Sequence, residues 1–189
     1  MKYIACVLSM MAVTFFQPCF AQLEKGNFMV GGSLLLNQAK SDYSDPNVST
    51  TNRHRFSINF NPKVAYFFTK RFSAGLSIPY YYNRNSSSSS TTLYIGPVVR
   101  YYFPFGKWAI FPELSYLWGK QTFRGAEVST NNSFAAGVGS TYFINSHVGI
   151  EGLLFYRKNQ DKQEDDFTFT NTSLNFNIGL QIYLNRRKG

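Results

Sequence analysis

The sequence predicts an all-β protein, an eight-stranded antiparallel up-and-down transmembrane β-barrel preceded by a cleaved signal peptide. Three observations predict it. Eight segments of about ten or more residues alternate apolar and polar side chains with period two. Their connections alternate short and long, as in a barrel with tight turns on one rim and longer loops on the other. Aromatic residues make up 18% of the 189 residues, with 13 Tyr and 19 Phe, an excess suited to interfacial girdles.

In chain order the leader comes first. Met1 and Lys2 make a basic start, Ile4 to Phe16 is mostly apolar, and Cys19-Phe20-Ala21 places small residues at the two recognition positions before Gln22. The apolar run is too short and broken for a spanning helix, which needs about 20 apolar residues. Residues 1–21 therefore read as a signal peptide and 22–189 as one barrel domain. Cys6 and Cys19 both leave with the leader, so the mature chain has neither a disulfide nor a cysteine metal site. Phe16-Gln17-Pro18 does not form a lipobox ahead of Cys19, which argues against acylation there.

The alternating segments run at about 26–38, 54–69, 71–84, 92–105, 107–121, 132–145, 147–158 and 172–185. The last contains "SLNFNIGLQIYL", in which Leu174, Phe176, Ile178, Leu180, Ile182 and Leu184 share one face. Short turns are expected at Lys70, at Gly106-Lys107 and at Asn145-Ser146-His147, and longer loops near 39–53, 84–92, 122–131 and 159–171. Turn length must keep the apolar residues of both flanking strands on one face. Phe56 to Phe68 and Phe72 to Tyr82 are both even, which asks for a three-residue turn centred on Lys70. The odd set Leu93 to Phe103 followed by the even set Trp108 to Trp118 asks for a two-residue turn, and Gly106 suits it. Phe134 to Ile144 and Val148 to Tyr156 agree in parity, which fits three residues around Ser146.

Charge then assigns the faces. A charged side chain facing lipid costs about 2–4 kcal/mol at the bilayer midplane. The apolar faces carry none within the strands, whereas the opposite parity carries Lys63, Arg100, Glu113 and Glu151. With Gly106-Lys107 as the turn, Arg100 falls directly opposite Glu113. Two cations and two anions in a narrow lumen neutralise one another. A soluble sandwich would also explain the alternation, but its polar face would meet water and would not need such pairing. Trp108 and Trp118 lie ten residues apart on one face, about 33 Å along a strand and roughly 23–25 Å in height once tilted, which places them at the two girdles. One feature resists: Pro62, Pro79, Pro97 and Pro112 fall inside proposed strands, and a closed barrel has no free edge for a missing N–H, so each needs a bulge or a strand end.

The stretches "GNFMVGGSLLL", "PKVAYFFTKRFSAGLSI", "YIGPVVRYYFPFGKWAIFPELSYLWG" and "NIGLQIYL" resemble the small outer membrane protein beta-barrel family, similar to OmpX and the OmpA transmembrane domain. The likeness covers nearly the whole mature chain. It implies an eight-stranded barrel in the cell outer membrane with both termini periplasmic. Many such barrels end on an aromatic residue, whereas this chain continues past Leu184 to Asn185-Arg186-Arg187-Lys188-Gly189.

The chemistry-bearing residues are sparse. His147 lies in an expected short turn, and His54 near the outer end of its strand could join Ser57 and Asp165 in a rim triad, but no serine sits in a nucleophile elbow. Two separated histidines without cysteine build no zinc set. "DKQEDD" lacks the spacing of a calcium loop, and the run Ser86 to Ser90 reads as a mobile loop tip. The formal charge of +9, or +8 without Lys2, is scattered rather than striped, which excludes a nucleic-acid interface and suits contact with anionic lipid phosphates. The expectation is a barrel without catalysis, cofactor or metal, a monomer among outer membrane lipids and lipopolysaccharide. Its role is structural, or surface interaction and adhesion through the long loops with an extracellular protein or ligand. The alternatives are a narrow channel for ions or very small solutes, and a lipid-modifying hydrolase at the outer rim. An eight-stranded interior is just wide enough for side chains to fill, so the four lumen charges read as a plug before a gate.

Overall fold

The structure is a computed structural model that describes residues 20–45, 48–85, 88–123, 126–162 and 168–185. After a short 3-10 turn, Phe20–Leu23, ten strand segments follow: β1 (Phe28–Asp45), β2 (Val48–Thr69), β3 (Phe72–Ser77), β4 (Tyr80–Asn85), β5 (Ser88–Tyr101), β6 (Phe103–Phe105), β7 (Trp108–Phe123), β8 (Ala126–Phe143), β9 (Val148–Lys162) and β10 (Thr168–Leu184). β3 and β4 are two halves of one stave, and so are β5 and β6. Eight staves result, each antiparallel to its neighbours, and β1 pairs with β10 to close the ring. Residues 1–19, most of the expected signal peptide, lie outside the described residues.

The wall obeys the alternation. Along β7 exposed and buried residues alternate from Trp108 to Trp118, and along β10 Leu174, Phe176, Ile178, Leu180, Ile182 and Leu184 all point outward and exposed. Trp108 and Trp118 lie outside, each about half exposed (50% and 51%). Trp108 packs its ring on Tyr142 at 4.8 Å and Trp118 on Tyr116 at 5.1 Å. Inverting the usual arrangement of large apolar residues is what a lipid solvent demands.

The short rim is built by turns at the expected places. β2 and β3 pair about Lys70 up to Phe67↔Ser73, but a bulge before Thr69 then closes the hairpin on Thr69↔Phe72, so the turn is the two residues Lys70-Arg71 rather than the expected three, and Arg71 takes a left-handed φ of 74°. Phe105 faces Trp108 across Gly106-Lys107, and Gly106 has φ 57°, a conformation that favours glycine because it has no Cβ. Asn145 closes the third turn by accepting from the N–H groups of His147 and Val148 through its Oδ1, at 2.8 and 2.9 Å.

The opposite rim corrects the expected long loops. Most of 39–53, 84–92, 122–131 and 159–171 continues as paired hairpin: β1 and β2 stay paired to Asp45 and Val48 with a register shift after Tyr43, β4 and β5 stay in register to Asn85 and Ser88, and β7 and β8 stay paired to Phe123 and Ala126 with a register shift after Gln121. Ser88, Ser89 and Ser90 therefore belong to a strand rather than to a mobile tip, while Ser86 and Ser87 lie outside the described residues. The reason is that backbone pairing needs no apolar face. Beyond the lipid the alternation stops, yet the ladder can continue through Ser, Thr and Asn.

The four prolines also find an answer. Pro62, Pro97 and Pro112 each lie where one ladder is interrupted while the ladder on the other side continues, and Pro79 lies where both are interrupted. Pro62 pairs with Gly32 of β1, but on its other side it sits at the break between β3 and β4, where its carbonyl accepts the Ile78 N–H at 3.0 Å. Pro79 is part of that break. Pro97 pairs with Leu76 and occupies a gap in the β5–β7 ladder between Ile95 and Val98. Pro112 pairs with Val138 and lies opposite the break between β5 and β6. The missing donors thus cost no rung.

Candidate functional site

The barrel interior gathers the four charges that parity places there. Lys63 of β2, Arg100 of β5, Glu113 of β7 and Glu151 of β9 are all buried. Arg100 and Glu113 are direct cross-strand partners. Lys63 Nζ donates to both carboxylate oxygens of Glu113, at 2.7 and 2.8 Å. Arg100 Nε donates to Glu113 Oε2 at 2.6 Å, and its Nη1 and Nη2 fork onto Glu151 at 2.7 and 2.9 Å. The planar guanidinium is what makes such a two-sided clamp feasible, because its donors diverge in fixed directions. Two positive and two negative charges close into one network, so the lumen carries ions without carrying net charge from them.

Below this network, toward the short rim, the lumen is filled. Arg100 lies over the Phe111 ring at 4.6 Å and donates to the Tyr102 hydroxyl at 3.0 Å, which in turn donates to Met29 Sδ at 3.2 Å. Tyr102 contacts Phe111 and Phe67 with ring centroids at 5.0 and 5.7 Å, and Tyr183 joins Phe67 and Phe143. Room for these rings comes from glycine. A Cβ on Gly139 would collide with Phe111 Cζ, so the tip of the ring occupies the space that the missing side chain leaves.

The chain before β1 closes the same end. Leu23 is buried, its carbonyl accepts from the Arg71 N–H at 3.0 Å, and Gly26 N–H donates to the Phe67 carbonyl at 2.9 Å. Gln22 Nε2 reaches the Asn145 carbonyl at 2.9 Å, and Asn27 Nδ2 bonds Asn185 Oδ1 at 3.1 Å. Two voids beside the ions, one bounded by Lys63 and Glu113 and the other by Lys63 and Glu151, hold only about 10 Å³ each.

The inner rings lie beyond the sequence expectations, although their signal was present: Phe67, Phe111, Phe143 and Tyr183 break the polar parity near the short turns. Arg157 shares the parity of Glu151 and also faces inward, above the network. His147 lies in its turn with Nδ1 2.8 Å from Ser146 Oγ, exposed. For the rim triad, His54 is paired with Lys40 along β2, but its side chain and all of Asp165 lie outside the described residues. Most of "DKQEDD" lies outside them as well. Among the described residues no group of three or more His, Cys, Asp and Glu could hold a metal ion.

Comparison with known proteins gives a consistent fold. The model of the family described as "Outer membrane protein beta-barrel domain" matches residues 5–152, most of the chain. No curated protein sequence matches. Among solved structures, the outer membrane protein OprG from Pseudomonas aeruginosa is similar with a TM-score of 0.52 at 12% identity, over 87% of this chain and 99% of that one. At that identity the likeness speaks for the fold alone. Neisserial surface protein A aligns over 86% of this chain and 98% of its own at 14% identity, with a TM-score of 0.48.

Proposed function

The chain belongs to the outer membrane protein beta-barrel domain family and is an outer membrane β-barrel, and from that premise we propose that it is a plugged barrel, without catalytic activity, whose role is structural or lies in surface interaction. One observation carries the reading. The four lumen ions satisfy one another above a layer of buried rings, and residues 22–27 are bonded across the short rim beneath them. A conduction path would have to break an ion pair and displace rings packed to protein density, whereas a plug needs neither. Lipids and lipopolysaccharide cover the outward apolar band, the protein acts as a monomer, and the protruding hairpins are what a surface partner meets.

The test is a conductance measurement on mature protein refolded into a planar bilayer, paired with heat-modifiable migration on a gel to establish folding. Folded protein with no current is the expected result. Discrete, stable current steps from folded protein would replace the plug with a narrow channel whose gate is the ion network.

Both termini are assigned to the periplasm. The support is that Phe28 and Leu184, the ends of the closing pair, share the rim of short turns, which in such barrels faces the periplasm. The two cysteines, Cys6 and Cys19, both lie ahead of the barrel strands, so single ones placed in the barrel report topology. A membrane-impermeant thiol reagent on intact cells should label Asn85→Cys, at the exposed end of β4, and spare Lys107→Cys. The reverse pattern would invert the assignment.

A further inference from the structure

Above the ion network, on the long-hairpin side, the lumen holds a cavity of about 110 Å³, and its chemistry differs from everything below it. Four carboxamides, Asn59, Asn61, Asn175 and Asn177, line it together with Tyr81 and Arg157. The Arg157 guanidinium is held in place. Its Nη1 donates to the Tyr81 hydroxyl, and its Cζ lies 5.6 Å from the Tyr81 ring centroid and 5.0 Å from that of Phe155. Its Nε is buried and makes no hydrogen bond.

Among the described residues no carboxylate lies within salt-bridge reach of Arg157. Glu113 borders a small void shared with Arg157, but its oxygens already accept from Lys63 and Arg100. A guanidinium held by Tyr81 on a cavity wall, among amides that can donate in turn, matches the planar or tetrahedral oxygens of a carboxylate or a phosphate.

Beside the cavity the pairing of the barrel wall is incomplete. The β1–β10 ladder, the seam of the barrel, runs from Phe28↔Leu184 only to Ser33↔Gly179, although both strands continue beyond it with their other neighbours. Leu35 and Phe176, 51% and 61% exposed, border the cavity beside that gap. An anion could therefore arrive from the hairpin side, or as the head of an amphiphile whose tail rests on these two side chains.

We propose that Arg157, Tyr81 and the four surrounding asparagines form a binding site for an oxyanion, a carboxylate or phosphate, set above the plug. This goes beyond the structural reading, since a plugged barrel needs no such site.

The experiment uses the mature chain, labelled with 15N-arginine and refolded in neutral detergent, with folding verified by heat-modifiable migration. The Arg157 Nε–H resonance, identified by its loss in Arg157→Lys, is followed as inorganic phosphate, acetate or dodecanoate is added. A saturable shift with at least one of them, absent in Asn177→Leu, where an apolar side chain fills the cavity and Arg157 remains, is the expected result. Asn175→Leu serves if Asn177→Leu does not fold. Similar affinity for acetate and dodecanoate would identify a free small anion as sufficient, whereas dodecanoate bound at least about tenfold tighter would identify an amphiphile. No shift at about 10 mM of any of the three, or a shift that does not saturate or that persists with the cavity filled, overturns the proposal.

Discussion

Glu113→Ala should lose about 3–5 kcal/mol of stability, the largest effect expected of any single change in this barrel. The magnitude comes from what is left behind. Glu113 accepts from Lys63 Nζ twice and from Arg100 Nε once, and all three residues are buried. Its removal leaves an ammonium with no carboxylate and a guanidinium with only Glu151. Both cations are buried, 5% and 2% exposed, rings fill the lumen below and the voids beside them hold only about 10 Å³ each, so little water is at hand to replace the carboxylate. Urea unfolding in detergent, followed by tryptophan fluorescence, measures the loss. The double variant Glu113→Leu with Lys63→Met should recover part of it, since a matched apolar pair removes the orphaned charge along with its partner. A midpoint for Glu113→Ala equal to that of the parent would mean that the four charges are hydrated and that the lumen is not a plug.

Leu114→Arg tests the opposite face one residue along. Leu114 points outward, about half exposed, and lies near the middle of the stretch between Trp108 and Trp118. A cation there meets hydrocarbon, at a cost of about 2–4 kcal/mol. The same substitution at Phe123, at the far end of β7 beyond Trp118, should cost only about 0–1 kcal/mol, because the penalty falls away toward the interface. Folding yield and urea midpoint in lipid vesicles report both. Equal costs at the two positions would mean that β7 does not cross the bilayer as the two tryptophans suggest.

Adjacent residues with opposite sensitivities show why so much of the fold is legible in one sequence. Period-two alternation assigns every side chain to lumen or lipid, and a charge on one parity says which is which. Short turns then set the register of their hairpins, and for this reason the pairing of Arg100 with Glu113 follows from turn length and parity alone. The same logic overstates the loops. Apolar alternation marks where lipid ends, not where pairing ends, so Ser88 to Ser90 and the ends of β1, β2 and β8 read as loop although they are ladder. Prolines are a puzzle only because a sequence shows that a donor is missing, not which neighbouring ladder has a gap to receive it.

By itself, then, the sequence determined the two faces, the hairpin registers about Lys70, Gly106-Lys107 and Ser146, and the identity of the four buried ions. Tertiary structure decided what those ions touch. Arg100 meets Glu151 fifty-one residues away and Lys63 meets Glu113 fifty residues away, across staves that are not neighbours, and only closure of β1 on β10 sets those distances. Closure also decided that rings from five different staves share one layer, that the seam stops at Ser33↔Gly179, and that Arg157 faces amides instead of a carboxylate. Local rules act along a strand and across one hairpin. What lies across the lumen depends on the curvature and stagger of the whole sheet, to which every strand contributes and which no segment encodes alone.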